Sequence, residues 1–285
     1  MLPEYPFTSH FHQLAAGRLH YLDEGEGPVV VLVHGNPTWS YYYRNVVAEL
    51  RSSHRVIAVD HLGCGLSSKP QEYAYTLASH IANLESLLDS LGVERFSLVV
   101  HDWGGAIGMG LAAGRPQLVD KIVVLNTAAF RFPWMPKRIA VCRIPVLGEI
   151  LVRGMNGFAW PATFMAVTRP LSSEVKRAYL KPYNNWHNRV AVHRFVKDIP
   201  MRDGDVSMGK LMEIEDALSQ FHGAGRMLIL WGGRDFCFNM TFYQRWCSLF
   251  PEAEHHCYED AGHYVLEDAR EEVVPRIAEF FRRDA

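Results

Sequence analysis

The chain has 285 residues, 48% hydrophobic and 21% charged, which is long enough for one large core with an inserted cap and too apolar for a disordered chain. A formal charge of −2 gives no electrostatic reason to bind nucleic acid. The five scattered cysteines (Cys64, Cys142, Cys237, Cys247, Cys257) are odd in number and form no Cys-x-x-Cys pair, which argues against a disulfide framework or a zinc site and for reduced thiols in the cytoplasm.

The first residues, Met1-Leu-Pro-Glu-Tyr-Pro, have no basic segment followed by an apolar run, so no signal peptide is expected. No apolar stretch approaches the ~20 residues of a membrane span. Arg18–Leu22 alternates polar and apolar residues and predicts an antiparallel edge strand. Val29–Val33, Val56–Val59, Phe96–Val100 and Ile122–Leu125 are short apolar runs that end at polar or glycine-containing turns. Between them, Leu77–Leu91 places Leu77, Ile81, Leu84, Leu87 and Leu88 at helical spacing, and Gly104-Gly105-Ala106 opens a small-residue helix. The alternation predicts βαβ units in a mainly parallel, eight-stranded sheet. It resumes at Met227–Trp231 and Glu254–Tyr258, and Glu271–Arg283 reads as a closing helix.

From about Arg131 to Phe221 the pattern changes. Pro133, Pro136, Pro145, Pro161, Pro170, Pro182 and Pro200 divide this stretch into short helical pieces rich in Phe, Trp, Met and Leu. We read it as a helical cap, residues 131–221, inserted into a core of residues 1–130 and 222–285. Eight Lys or Arg stand against two Glu between Arg131 and Arg177. A solvated basic face accounts for this excess, and a surface for an acidic partner or for membrane headgroups is the alternative.

The chemistry is expected at the turn between Phe96–Val100 and the small-residue helix, Val-Val-His101-Asp102-Trp103-Gly104-Gly105. A side chain at such a turn is held exposed at the top of the sheet, and here it is a carboxylate. Attack by a carboxylate on an ester would give an anhydride. Attack on an sp³ carbon displaces a leaving group and gives an alkyl ester of the enzyme. Taken alone, Asp102 also reads as a helix N-cap. His34-Gly35-Asn36-Pro37, after Val29–Val33, supplies a second piece. The backbone N–H groups of Asn36 and Trp103, with the Asn36 amide and Trp103 indole, form a neutral cradle for a departing anion. In Asp260-Ala261-Gly262-His263-Tyr264, Gly262 lets the backbone aim His263 at the site as general base. His101 and His34 are assigned structural roles. The acid that orients His263 is Asp235 in Trp231-Gly-Gly-Arg-Asp235, because the competing loop Asn126–Lys137 contains no Asp or Glu. The order Asp102…Asp235…His263 is that of nucleophile, acid and histidine in α/β-hydrolases. No cofactor and no metal are called for.

Together these residues resemble the haloalkane dehalogenase-like family of α/β-hydrolases over nearly the whole chain. The resemblance rests on His34-Gly-Asn-Pro-Thr-Trp, Asp60-His-Leu-Gly-Cys-Gly-Leu-Ser67, His101-Asp-Trp-Gly-Gly105 and Gly262-His263-Tyr264. It implies that Asn36 and Trp103 are the leaving-anion pair. A narrower resemblance, in Leu125-Asn-Thr-Ala-Ala-Phe130, Cys142-Arg-Ile-Pro-Val-Leu-Gly148, Tyr183 to Trp186, His193-Arg-Phe-Val196 and Arg234-Asp-Phe-Cys-Phe238, is to the cis-β-lactone decarboxylases of bacterial olefin biosynthesis. The two groups share their core motifs, so the cap and flanks carry this preference. Both a haloalkane and two long alkyl chains suit the aromatic cap (Phe130, Phe132, Trp134, Phe158, Trp160, Phe164), whose side chains also read as ordinary cap core.

The expected activity is β-lactone decarboxylation to a cis-alkene and CO₂, with haloalkane dehalogenation as the alternative. Epoxide hydrolysis would need cap tyrosines, for which Tyr179 and Tyr183 are the candidates. A ligand-binding, non-catalytic hydrolase fold would need none of the Asp102, Asp235 and His263 set. The expected partner is a hydrophobic small molecule; the resemblance adds protein partners of an olefin-forming assembly and leaves membrane contact open.

Overall fold

Eight strands form one sheet in the computed structural model, which describes residues 2–283; Met1, Asp284 and Ala285, at the ends of the expected core span, lie outside the described residues. The strands are β1 (His10–Leu14), β2 (Gly17–Glu24), β3 (Val29–Val33), β4 (Arg55–Val59), β5 (Phe96–Asp102), β6 (Val119–Thr127), β7 (Met227–Gly232) and β8 (Glu254–Tyr258). Their order is β1-β2-β4-β3-β5-β6-β7-β8, parallel from β4 to β8 and antiparallel where β2 meets β1 and β4. Chain belonging to the α/β-hydrolase fold follows from this arrangement.

One expectation is corrected. Arg18–Leu22 lies in an antiparallel strand, but β2 is not the edge, because β1 covers it. The β1 sequence His-Phe-His-Gln-Leu is half polar and only alternately half-buried, so its apolar content is too low to mark a strand.

The central strands are apolar on both faces, as a parallel sheet covered by helices requires. Val31 and Val33 of β3 and Leu98 and Val100 of β5 point into one core, and Val30, Leu32 and Val99 point into the other. The second core is closed by α1 (Arg44–Leu50), whereas α2 (Leu77–Ser90) and α3 (Trp103–Gly114) cover the first.

Between β6 and β7 the described residues contain only helices and turns. These are α4 (Lys137–Val141), α5 (Leu147–Glu149), a π-helical turn at Ile150–Gly154, α6 (Ala159–Met165), α7 (Ser173–Leu180), α8 (Val190–Asp198) and α9 (Met208–Ala217), the last packed on α2 and α3. After β7 come α10 (Met240–Leu249), then α11 (Val265–Asp268) and α12 (Arg270–Arg282), with α12 packed on α1. No helix among the described residues is long and apolar enough to cross a membrane. The carboxyl ends of β3, β5, β7 and β8 therefore lie side by side beneath the helical segment, where open α/β sheets place their ligands.

Candidate active site

Asp102 ends β5 and begins α3 with φ 53° and ψ −128°, a strained conformation for a residue with a Cβ. The strain is tolerated because the surroundings dictate it. The Thr127 hydroxyl donates to the Asp102 carbonyl, and Trp246 Nε1 donates to the Thr127 carbonyl at 2.8 Å. Two glycines make room. A Cβ on Gly104 would lie 1.9 Å from the Val33 carbonyl oxygen, and a Cβ on Gly35 would lie 2.0 Å from Asp102 Oδ1. The turn thus presents the Asp102 carboxylate, only 8% exposed, to a cavity above the sheet.

The backbone N–H of Asn36 donates to Asp102 Oδ1 at 2.6 Å. Its side-chain Nδ2 donates to the Val192 carbonyl of α8 at 3.1 Å, which leaves the second amide proton for a bound anion. Asn36 and Trp103 both line the cavity beside Asp102. Tyr43, whose hydroxyl donates to the Val33 carbonyl at 2.9 Å, anchors the strand end behind them.

His263 stands between two carboxylates. Its Nδ1 donates to Asp235 Oδ2 at 2.7 Å, and its Nε2 lies 3.5 Å from Asp102 Oδ2. Phe238 stacks on the imidazole with centroids 5.7 Å apart. Burial pushes the His263 pKa down, but the charges and hydrogen bonds of Asp235 and Asp102 outweigh it and raise the pKa to about 10. His263 therefore rests as an imidazolium at neutral pH. Esterification of Asp102 would remove one of the two charges that hold the proton.

The structure brings Asp102, Asp235, His263, Asn36 and Trp103 together, adds Asn126, which the sequence reading passed over, and gives His101 a contact that fits its assigned structural role. Asn126, at the end of β6, donates from Nδ2 to Asp235 Oδ2 (3.0 Å) and to the Gly232 carbonyl (3.1 Å), and its Oδ1 accepts from the Gly232 N–H (2.8 Å). Asn126 opens the loop that offers no Asp or Glu, and its amide, which fixes an acid from another loop, is the signal the sequence holds. His101 donates from Nε2 to the His263 carbonyl at 2.9 Å, so the residue beside Asp102 holds the histidine loop. Burial first, then the neighbouring His263, lowers the His101 pKa far below its usual value and keeps it neutral. His34 accepts from the His61 N–H at 3.0 Å and bonds the Gly35 carbonyl through Nδ1, which stiffens the turn before Asn36.

The cavity over these groups measures about 290 Å³. Phe130, Phe132, Trp134 and Phe158 line it; Trp160 and Phe164 do not. Those two stand on the outer side of α6, 56% and 47% exposed, while Pro161, Ala162 and Met165 turn inward. Of the six aromatics grouped as a substrate lining, these two are corrected to surface residues. The Tyr179 hydroxyl donates to Glu267 and that of Tyr183 to the Thr38 carbonyl (3.2 Å), and neither lines the cavity. Neither nominated cap tyrosine therefore stands where it could protonate an epoxide in the cavity. The basic excess of the cap is partly paired, through Arg131–Glu215, Arg143–Asp205 and Arg153–Glu149.

A family model described as the alpha/beta hydrolase fold matches residues 28–143. The chain is 46% identical, over 96% of its length and 88% of the relative's, to a cis-3-alkyl-4-alkyloxetan-2-one decarboxylase of Shewanella oneidensis. It is 41% identical to a protein of the same name from Xanthomonas campestris pv. campestris, with 99% and 98% covered. Haloalkane dehalogenase 2 of Mycobacterium tuberculosis is 31% identical, with 97% and 96% covered. Among solved structures, a haloalkane dehalogenase from Bradyrhizobium elkani superposes with a TM-score of 0.89 at 24% identity, covering 96% of this chain and 97% of that one, a likeness of fold.

Proposed function

The chain belongs to the cis-3-alkyl-4-alkyloxetan-2-one decarboxylases within the haloalkane dehalogenase-like α/β-hydrolases, and on that premise we propose that it converts a dialkyl cis-β-lactone into a cis-alkene and CO₂ at Asp102. The observation that carries the choice of lactone over halide is the likeness along nearly the whole chain to two named decarboxylases, at 46% and 41% identity, against 31% to a dehalogenase. The geometry supports the chemistry common to both.

Asp102 attacks the ring carbon that bears the ring oxygen. The enzyme–carbon ester bond forms as the ring C–O bond breaks, and the substrate carboxylate that departs is taken up by Asn36, Trp103 and the His263 imidazolium. The bond from that carboxylate to the adjacent carbon then breaks. Its electron pair becomes the second bond of the alkene, CO₂ leaves, and the enzyme ester bond breaks to return Asp102 as a carboxylate. Inversion at the first step and anti elimination at the second give a net syn loss, so a cis-lactone yields a cis-alkene. The sequence consumes no water and transfers no net proton. His263, held charged by Asp235, is suited to stabilise the anion.

In this reading residues 131–221 enclose an apolar substrate over a core of 1–130 and 222–285. Protein partners of an olefin-forming assembly would hand on a lactone too apolar to travel through water unaided. The five free cysteines suit a reducing cytoplasm. The test is direct. The protein is incubated separately with a dialkyl cis-β-lactone and with 1-bromobutane. Alkene and CO₂ without bromide release is the expected result; bromide and alcohol from the second substrate, with the lactone untouched, would overturn the assignment.

A further inference from the structure

Among the described residues, nine of the thirteen exposed large apolar side chains lie between Trp134 and Phe164. Val146 is 72% exposed and Met155 69%, with Ile144, Leu147, Ile150, Trp160 and Phe164 close to half exposed. Within the same stretch the only exposed charged residues are Lys137 and Arg138. Its acidic residue, Glu149, is half-buried and paired with Arg153. Val146 also holds a φ of +65°, an unfavourable conformation for a β-branched residue, with its side chain in solvent. A surface this apolar, concentrated in one segment and bordered by positive charge alone, is not the ordinary scatter of exposed hydrophobes.

The same short helices line the cavity with their inner sides: Ile139 and Cys142 near α4, and Pro161, Ala162 and Met165 in α6. Trp134 and Arg138 belong to both surfaces, lining the cavity while exposed to solvent. The cavity therefore reaches the surface on the apolar, basic face.

We propose that the outer face of residues 134–164 docks on the surface of a bilayer containing anionic phospholipid. Trp160, Phe164, Val146 and Ile150 enter the interface, and Lys137 and Arg138 meet the headgroups. Charge complementarity supports a lipid surface, since the face offers cations and no free carboxylate. The cavity mouth supports it too: resting on the proposed lactone activity, a long-chain substrate and a hydrocarbon product exchange with an apolar phase through that mouth instead of with water.

The test is vesicle flotation of the full chain. Vesicles of phosphatidylcholine with an equal share of phosphatidylglycerol should carry the protein at low salt. Binding should fall at least about fivefold on phosphatidylcholine alone, or at roughly 0.5 M salt, where headgroup attraction is screened. The combined variant Val146→Asn, Ile150→Ser, Trp160→Ser, Phe164→Ser should stay in the aqueous fraction, with an unchanged Tm and wild-type turnover of a short-chain, water-soluble cis-β-lactone. Wild-type protein that remains aqueous with both vesicle types would overturn the proposal, as would a variant that still floats. Self-association abolished by the variant, without vesicle binding, would assign the face to a second copy of the chain and also overturn it. Flotation without lactone turnover would fail the substrate reading and leave the docking intact, and turnover without flotation would do the reverse.

Discussion

At the residue scale the site depends on charge placement around His263. Its pKa, about 10 when folded against an ordinary 6.5, means that the ion pairing contributes stability in full below pH 6.5 and that this is lost as pH rises through 10. Asp235→Asn removes the nearer partner of a buried pair, which costs on the order of 3 kcal/mol at pH 6. The cost should shrink clearly by about pH 10.5, where His263 is neutral in both proteins. Urea unfolding at the two pH values measures this, and an equal loss at both would show that the pair is not what holds the imidazolium. Asn126 acts at one remove, because it touches Asp235 and not the reacting atoms. Asn126→Ala should lower kcat by about tenfold, the worth of one hydrogen bond to a charged group, and leave KM nearly unchanged. It should also lower the His263 titration midpoint, which a purely structural loss would not move. Asp102, Asp235 and His263 were legible because each stands in a short motif at a strand end. Asn126 was not, because an amide that fixes an acid carries no charge signature in a sequence.

At the level of elements, the turn from β5 to α3 ties activity to stability. Both Gly35 and Gly104 lack room for a Cβ, but against different neighbours. The obstacle at Gly104 is the Val33 carbonyl, backbone of a central strand that is paired on both sides. At Gly35 it is the Asp102 side chain from Oδ1 at 2.0 Å back to Cβ at 2.3 Å, and the Cβ moves only with the backbone of the turn. Gly104→Ala should therefore cost more than about 3 kcal/mol, read by chemical denaturation, because α3 must lift from the sheet. Gly35→Ala should also lower the unfolding midpoint, and turnover of the folded protein should fall about a hundredfold or more, because the turn that carries the Asp102 carboxylate must shift. A Gly35→Ala protein with wild-type stability and turnover would show that the turn gives way without cost and would refute this reading. Strands buried on both faces, such as β3, are continuous apolar runs and show plainly in the sequence. The polar β1 does not. The outward turn of Trp160 and Phe164 was hidden for a further reason: α6 has seven residues and apolar groups on both sides, so no periodic face exists to read.

At the scale of the whole molecule, polar contacts such as Arg153–Gln71, Thr168–Asp268, Tyr179–Glu267 and Tyr183–Thr38 tie the helical segment to the sheet layer, and Asp198 makes one whose charge opposes the closure. At the end of α8, its Oδ2 accepts from the Leu77 N–H at the start of α2 (2.8 Å) and from the Ser207 hydroxyl just before α9 (2.6 Å). Leu77 lines the cavity, so the contact joins three helices beside the site. Burial drives the Asp198 carboxyl up to about 6 from an ordinary 3.8, against the lowering effect of those two hydrogen bonds. A raised folded pKa means the acid favours the folded state while protonated. Its contribution is complete below pH 3.8 and is lost as pH rises through 6. Asp198→Asn retains an oxygen acceptor for the Leu77 N–H and carries no charge at any pH. The variant should be more stable than wild type by about 1 kcal/mol at pH 8, after discounting for the partly exposed site, and no more stable near pH 4. Urea unfolding at both pH values decides it: a gain independent of pH would point to packing, and a loss at pH 8 would mean that the charged hydrogen bonds outweigh the burial of the carboxylate. The same charge makes the join between the helical segment and the sheet layer weaker at neutral pH than a neutral side chain would.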